Sequence, residues 1–213
     1  MYVRITAMDI LEKLFGTTAK VKMMRLFLFN PEYVFTLDEI IDRGNMTASE
    51  AKKELTPLIA VGLVRRRPFS KEITVTKKKK VSIKKVKGLG YALDQKFAYL
   101  NALKTLLISV SLHSHDDIAK RFSKVGKVKA LIVAGVFIQD WESRVDLMIV
   151  GDELDDSRIK NTVKVLEAEL GKEISYTALE TADFEYRIGV YDKLVRDILD
   201  FPHVKIVDRL SLS

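Results

Sequence analysis

Between Arg65 and Lys87 the chain places eleven cations: Arg65, Arg66, Arg67, Lys71, Lys77, Lys78, Lys79, Lys80, Lys84, Lys85 and Lys87. Glu72 is the one acid among them. Cations at this density neutralise phosphates, and each counterion they release adds to affinity for a polyanion. Short alternations, Ile73 to Thr76 and Val81 to Ile83, separate the cationic runs and predict an antiparallel β-ribbon. A merely solvated lysine-rich surface is the plainer reading of the same residues. A second group with chemical potential is Ser111-Leu112-His113-Ser114-His115-Asp116-Asp117. Two imidazoles and two carboxylates invite a metal, yet Ser114 followed by Asp117 also spells a helix N-cap with an acid in the first turn, which needs no ion.

The charge is divided unevenly along the 213 residues. Residues 1–100 hold 20 Lys/Arg against 10 Asp/Glu, a net +10, and residues 101–213 hold 16 against 19, a net −3. The first half is therefore suited to a polyanion and the second to something else. No run approaches the roughly 18 apolar residues of a spanning helix, and charges interrupt the segment where a secretory leader would be apolar. With no cysteine in the chain, disulfides, thiolate metal sites and cysteine nucleophiles are excluded, and a cytoplasmic location without membrane contact is expected.

The elements that must position these residues can be read from spacing. Thr17 or Thr18 caps a helix with the stripe Val21, Met24 and Leu28. Tyr33 to Phe35 is strand-like, and Thr36 with Glu39 makes a capping box for a short helix ending near Gly44. Thr47 with Glu50 makes a second box, opening a helix that turns Ala48, Ala51, Leu55, Leu58 and Ile59 inward. Thr47, Ser49, Lys52, Lys53 and Thr56 are left for the other face or the helix start. Pro57 is expected to kink or stop that helix near Thr56. Beyond Phe97 a helix is followed by strands at Val128–Val133, Val145–Val150 and Ile174–Leu179. Thr181 is expected to cap one long final helix reaching Leu199, with Val204–Val207 as an edge strand. The class is α+β, with a small mixed sheet in the second half.

Residues 8–95 resemble the winged helix-turn-helix domains of prokaryotic transcription regulators. The likeness lies in the order of Val21–Phe29, Phe35-Thr36-Leu37-Asp38-Glu39-Ile40, Ala51–Ala60 with Val61-Gly62-Leu63-Val64, and Gly90-Tyr91-Ala92-Leu93. It implies that the helix from Thr47 enters the major groove while the ribbon lies on the backbone or in the minor groove. Ser49, Lys52, Lys53 and Thr56 would then meet bases or phosphates. Arg65–Arg67, Lys77–Lys80, Lys84, Lys85 and Lys87 would hold the backbone. Similar helix patterns also occur in domains that bind only protein, and RNA rewards the same lysines.

Residues 125–207 resemble the minimal nucleotidyltransferase family, through Ala134-Gly135-Val136, Arg144-Val145-Asp146-Leu147 and Leu170 to Thr177. The family's chemistry requires clustered carboxylates to hold Mg²⁺. Here Val136 stands for the serine and Arg144 for the first aspartate, leaving Asp146 alone. A guanidinium there repels the ion and can pair with Asp146. Together the readings imply a double-stranded DNA-binding transcriptional regulator with the regions 1–95, 96–124 (linker helices) and 125–213. The last is expected to be catalytically silent, without cofactor or metal, serving as scaffold or holding a ligand at Arg144 and Asp146. A homodimer through the Phe97–Ile108 helix would match a two-fold operator. The alternatives are an active nucleotidyltransferase modifying a protein or nucleic acid, or an RNA-binding protein.

Overall fold

Thr17 starts the central helix of the first half, its hydroxyl oxygen accepting the N–H of Lys20 at 3.1 Å. This computed structural model describes residues 7–77, 80–108 and 114–212, with side chains described outside positions 7, 9 and 72–84. Helix α1 (Ala7–Phe15) precedes α2 (Thr18–Phe29), α3 (Leu37–Gly44) and α4 (Ala48–Ala60). Both expected capping boxes form: Thr36 and Glu39 exchange bonds at the start of α3, and Thr47 and Glu50 at the start of α4. Each satisfies two otherwise orphaned backbone N–H groups. Between the helices Asn45 takes the left-handed conformation, φ 45°, which asparagine tolerates better than most residues.

Helix α4 does not stop at Thr56. It runs to Ala60: Pro57 sits in its last turn, where the proline forfeits only the one bond its N–H would have made to Lys53 O. Ala51, Leu55 and Leu58 are buried as expected, but Ala48, at the first helical position, is exposed. The Tyr33–Phe35 strand is reduced to one antiparallel bridge, Phe35 to Tyr91.

Two strands of fourteen residues, β1 (Val64–Lys77) and β2 (Lys80–Leu93), pair antiparallel from Val64–Leu93 out to Lys77–Lys80. At about 3.3 Å per residue each spans roughly 46 Å. Helices α5 (Leu100–Ile108) and α6 (His115–Phe122) lead into the second half. Its sheet, order β5-β4-β3-β6, contains β3 (Lys127–Val133), β4 (Leu147–Asp152), β5 (Tyr176–Glu180) and β6 (Val204–Asp208). The β4–β5 pair is parallel and the other two are antiparallel. Side chains alternate along β3 and β4. Leu131, Val133, Leu147 and Ile149 join the core with α6 and α7 (Asp156–Leu170). Ala130, Ile132, Met148 and Val150 join the core with α8 (Thr181–Gly189) and α9 (Lys193–Leu199).

The single long final helix expected from Thr181 is thus two. Tyr191 is left-handed at φ 55°, and the Asp192 side chain accepts the N–H of Leu194 at 2.9 Å, so Asp192 starts a new helix where continuation was expected. Thr181 is the first helical residue and Glu180 holds the cap position. Among the described residues no helix is long and apolar enough to cross a membrane.

The two halves meet at α2. Arg25 is 1% exposed; its Nε donates to Leu170 O at 3.0 Å and its Nη1 donates to Leu107 O. Both carbonyls lie in helix C-terminal turns, where the helix dipole favours a cation. Burial pushes the guanidinium down to about 10, leaving it charged at neutral pH. Gly171 ends α7 at φ 81° against the α2 backbone, where an added Cβ would lie 2.5 Å from Arg25 C and 2.6 Å from Leu26 N. Asn30 Nδ2 donates to Gly171 O at 3.0 Å, and Phe29 meets Trp141 with ring centroids 5.7 Å apart.

Gly62 supplies a matched control, with φ 82° but no atom within 4 Å of an added Cβ. Gly62→Ala should cost about 1 kcal/mol for the left-handed backbone alone. Gly171→Ala should cost about 1–3 kcal/mol more, because the methyl has to push the two halves apart. Urea denaturation of both variants checks the difference, and equal costs would contradict close packing at α2.

Candidate nucleic-acid interface

Helix α4 presents Ser49, Lys52, Lys53 and Thr56 to solvent, since its opposite side is held in the core by Ala51, Leu55 and Leu58. Thr47 is exposed too, but its hydroxyl is engaged in the capping box, donating to Glu50 Oε2 at 2.7 Å and accepting the Glu50 N–H at 3.2 Å. Glu50 lies on this surface with its carboxyl held below the usual range by the Thr47 N–H and hydroxyl. A phosphate approaching α4 therefore meets two lysines beside one fixed carboxylate.

The ribbon grows from the same core. Leu63, Val64, Ala92 and Leu93 are buried at its base, and Asp94 N–H donates to Leu63 O at 2.8 Å. Phe35 and Tyr91 exchange backbone hydrogen bonds at 2.8 and 2.7 Å, a closeness possible because Gly90 has no side chain; a Cβ there would lie 2.6 Å from Phe35 O. Further out, Lys71 fastens the ribbon to α3. Its Nζ lies 2.7 Å from each oxygen of Glu39, 3.0 Å from the Tyr33 hydroxyl and 4.3 Å from the Tyr33 ring centroid. The Tyr33 hydroxyl in turn donates to Glu39 Oε1 at 2.8 Å. Glu39 thereby starts α3 and anchors the ribbon with one carboxylate.

Of the eleven cations in the basic stretch, Lys71 is thus occupied internally, and Arg65 Nη1 lies 3.9 Å from Asp94 Oδ1. Arg66, Arg67, Lys85 and Lys87 are exposed. Lys78 and Lys79 lie outside the described residues. Lys77, Lys80 and Lys84 are placed by backbone alone, with Lys77 opposite Lys80 and Lys84 opposite Ile73. The α4 face and the ribbon thus leave the same small core as neighbouring elements.

In the second half Asp146 is 6% exposed and both its oxygens are in use. Oδ1 accepts the N–H of Val136 and Oδ2 the N–H of Ser175, each at 2.8 Å. The carboxylate ties the turn after β3 to the entry of β5, and Gly135 makes room for it: a Cβ there would lie 2.0 Å from Asp146 Oδ1. Arg144 does not pair with Asp146. It is exposed and its Nη1 lies 3.6 Å from Asp197 Oδ2, whereas Asp146 is buried on the backbone N–H groups of Val136 and Ser175. The structure therefore separates Arg144 and Asp146 into two unconnected roles. Among the described residues no group of three or more His, Cys, Asp or Glu side chains is placed to hold a metal ion. Ser114 caps α6 by accepting the Asp117 N–H at 3.2 Å, while His113 lies outside the described residues.

The partners of Lys71 and Arg25 are invisible to sequence reasoning. Spacing groups the lysine with the basic run and the arginine with the helix that carries it. No protein-family model, curated protein or solved structure matches the chain.

The Lys71–Glu39 contact has a definite pH dependence. Burial would raise the Glu39 carboxyl, but hydrogen bonds from Lys71, the Thr36 N–H and Tyr33 outweigh it and hold it below its ordinary 4.5. Its stabilisation is therefore complete above that value and lost as pH falls through the lowered folded value. Burial opposes the charge of Lys71, yet Glu39 and Tyr33 raise it, so the lysine's share persists to strongly alkaline pH. Glu39→Gln should cost about 1 kcal/mol at pH 7. The gap between variant and parent should narrow as pH falls through the lowered Glu39 value, as read from denaturation midpoints; a gap that persists in acid would contradict the assignment.

Proposed function

We propose that the protein is a sequence-specific double-stranded DNA-binding transcriptional regulator. Its first 95 residues act as a winged helix-turn-helix, and residues 125–213 form a nucleotidyltransferase-like domain that performs no transfer. The observation that carries the reading is the joint presentation of two features from one core: the exposed face of α4 and a cation-rich ribbon anchored through Lys71. In this reading α4 enters the major groove, with Ser49, Lys52, Lys53 and Thr56 at base edges or phosphates. Arg66, Arg67, Lys85 and Lys87 with the lysines of the ribbon end lie on the sugar–phosphate backbone and fix the register. The +10 charge of residues 1–100 supports a polyanionic partner and steers its approach.

The silence of the second domain is supported by Asp146. It stands as a lone carboxylate, committed to two backbone N–H groups, and Arg144 stands where a second carboxylate would be needed to hold Mg²⁺. That domain then serves as the support against which α2 and α3 are set. A homodimer through α5 and the turn before it, where Leu106 and Tyr99 lie open, would place two copies of α4 on a two-fold site.

Fluorescence-anisotropy titration against duplex DNA and matched RNA over a salt series tests the reading. Duplex should bind with a steep negative salt slope. Replacing Lys77–Lys80 by alanine should flatten that slope by roughly 0.9 for each phosphate those lysines neutralise, up to about 3–4 units. Lys52→Ala with Lys53→Ala should weaken binding by about tenfold or more. Preference for RNA, or no binding at moderate salt, would contradict the proposal.

A further inference from the structure

We infer that the cleft between the two halves is a binding site for a small oxyanion, a carboxylate or a phosphate, with Arg43 as its principal ligand. The cleft encloses about 920 Å³ between α2 and α3 on one side and the segment after α7 on the other. Arg43, Lys164 and Lys172 bring three cations to it from three different elements.

The cations and acids of this cleft are held in different ways. The Arg43 guanidinium stacks on two aromatic faces, 5.4 Å from the Tyr33 centroid and 5.6 Å from that of Phe35. Its side chain is 30% exposed, whereas its partner Glu173, at 2.5 Å, is 71% exposed. Lys164 is 47% exposed, and its partner Asp42, at 2.6 Å, is again 71% exposed. Lys172 lies over the Trp141 ring, 5.1 Å from its centroid. The acceptors of Arg43 and Lys164 are thus loosely held surface carboxylates, covering cations that the fold has oriented. An incoming oxyanion replaces a flexible glutamate at little cost, and Arg offers it a preorganised planar fork.

The other carboxylates lining the cleft are already used. Asp146 accepts the two N–H groups described above, and Glu167 Oε1 accepts the N–H of Ile174 at 2.8 Å. Burial raises the Glu167 carboxyl against the opposing Ile174 N–H, and the neighbouring Glu173 adds to the rise. Arg144, where a ligand was expected, does not line the cleft, whereas Arg43 does. Arg43 also lies in the last turn of α3, so a ligand that takes it from Glu173 loosens a tie between α3 and the second half. Only this consequence for DNA rests on the proposed function; binding itself does not.

The lone tryptophan of the chain, in contact with Lys172, provides the signal. Inorganic phosphate, pyrophosphate and citrate are titrated separately into the full chain at constant ionic strength, following Trp141 fluorescence and the thermal midpoint. The expected result is a saturable response below about 10 mM to at least one probe, and comparison of the phosphate and citrate arms assigns the headgroup. Arg43→Gln should weaken it by roughly tenfold or more. Glu173→Gln removes only the competing carboxylate from an exposed position, and should tighten binding about threefold or more. Arg144→Gln should leave it unchanged. No saturable response to any probe, an Arg43→Gln variant that binds as the parent does, or a Glu173→Gln variant that fails to gain affinity would each overturn the inference. DNA titration with and without the best probe is read separately, so loss of the DNA reading leaves the binding result standing.

Discussion

The structure depends on a buried guanidinium. Taking an isolated charge out of water costs several kcal/mol unless hydrogen bonds and opposing dipoles compensate it. Arg25 is compensated only where α2 crosses the C-terminal turns of both α5 and α7, because the Leu107 and Leu170 carbonyls are supplied by different parts of the chain. This requirement draws the second half onto α2. Gly171 allows the approach, Asn30 pairs across it, and Phe29 carries the contact on to Trp141. Helix α2 also packs on α1, α3 and α4, so the elements proposed to meet DNA and the mixed sheet are referred to the same axis.

Why α2 is only half legible in the sequence follows from this position. Its stripe Val21, Met24 and Leu28 is the pattern of a helix with one buried face, and those three residues are indeed buried. The structure buries Met23, Arg25, Leu26 and Phe27 as well: Phe27 packs on Phe35 within the first half, whereas Arg25 and Leu26 lie against Leu170 and Gly171 of the second half. No local rule reports the latter, because the covering atoms come from about 145 residues away. The two capping boxes are the opposite case. Thr36 with Glu39 and Thr47 with Glu50 are complete within four residues, so the chain specifies them without reference to anything distant. That the basic stretch forms two paired strands is similarly available from the alternations at Ile73–Thr76 and Val81–Ile83.

The candidate sites divide along the same line. Which residues of α4 face outward is readable, since outward is the complement of a local buried stripe. Which cations of the basic run remain for a partner is not. Lys71 differs from Lys85 or Lys87 only in meeting Glu39 and Tyr33, residues of another element. Nearness in sequence pairs Arg144 with Asp146, but the aspartate binds the backbone of Val136 and Ser175, and the arginine turns to α9. Likewise the break at Tyr191 reflects competition between a continuing helix and an Asp192 cap, which periodicity alone does not resolve. In each case the residue type is informative about chemistry and the partner is decided by tertiary placement.

The central claim is that α4 and the ribbon, set against the second half through α2, form the surface that meets duplex DNA. Amide hydrogen exchange of the full chain with and without excess duplex tests it most directly. The account expects slowed exchange in residues 47–60 and 64–93, with the sheet of the second half unchanged. Exchange that is unaltered in those two segments while DNA is bound, or protection confined to the second half, would contradict it.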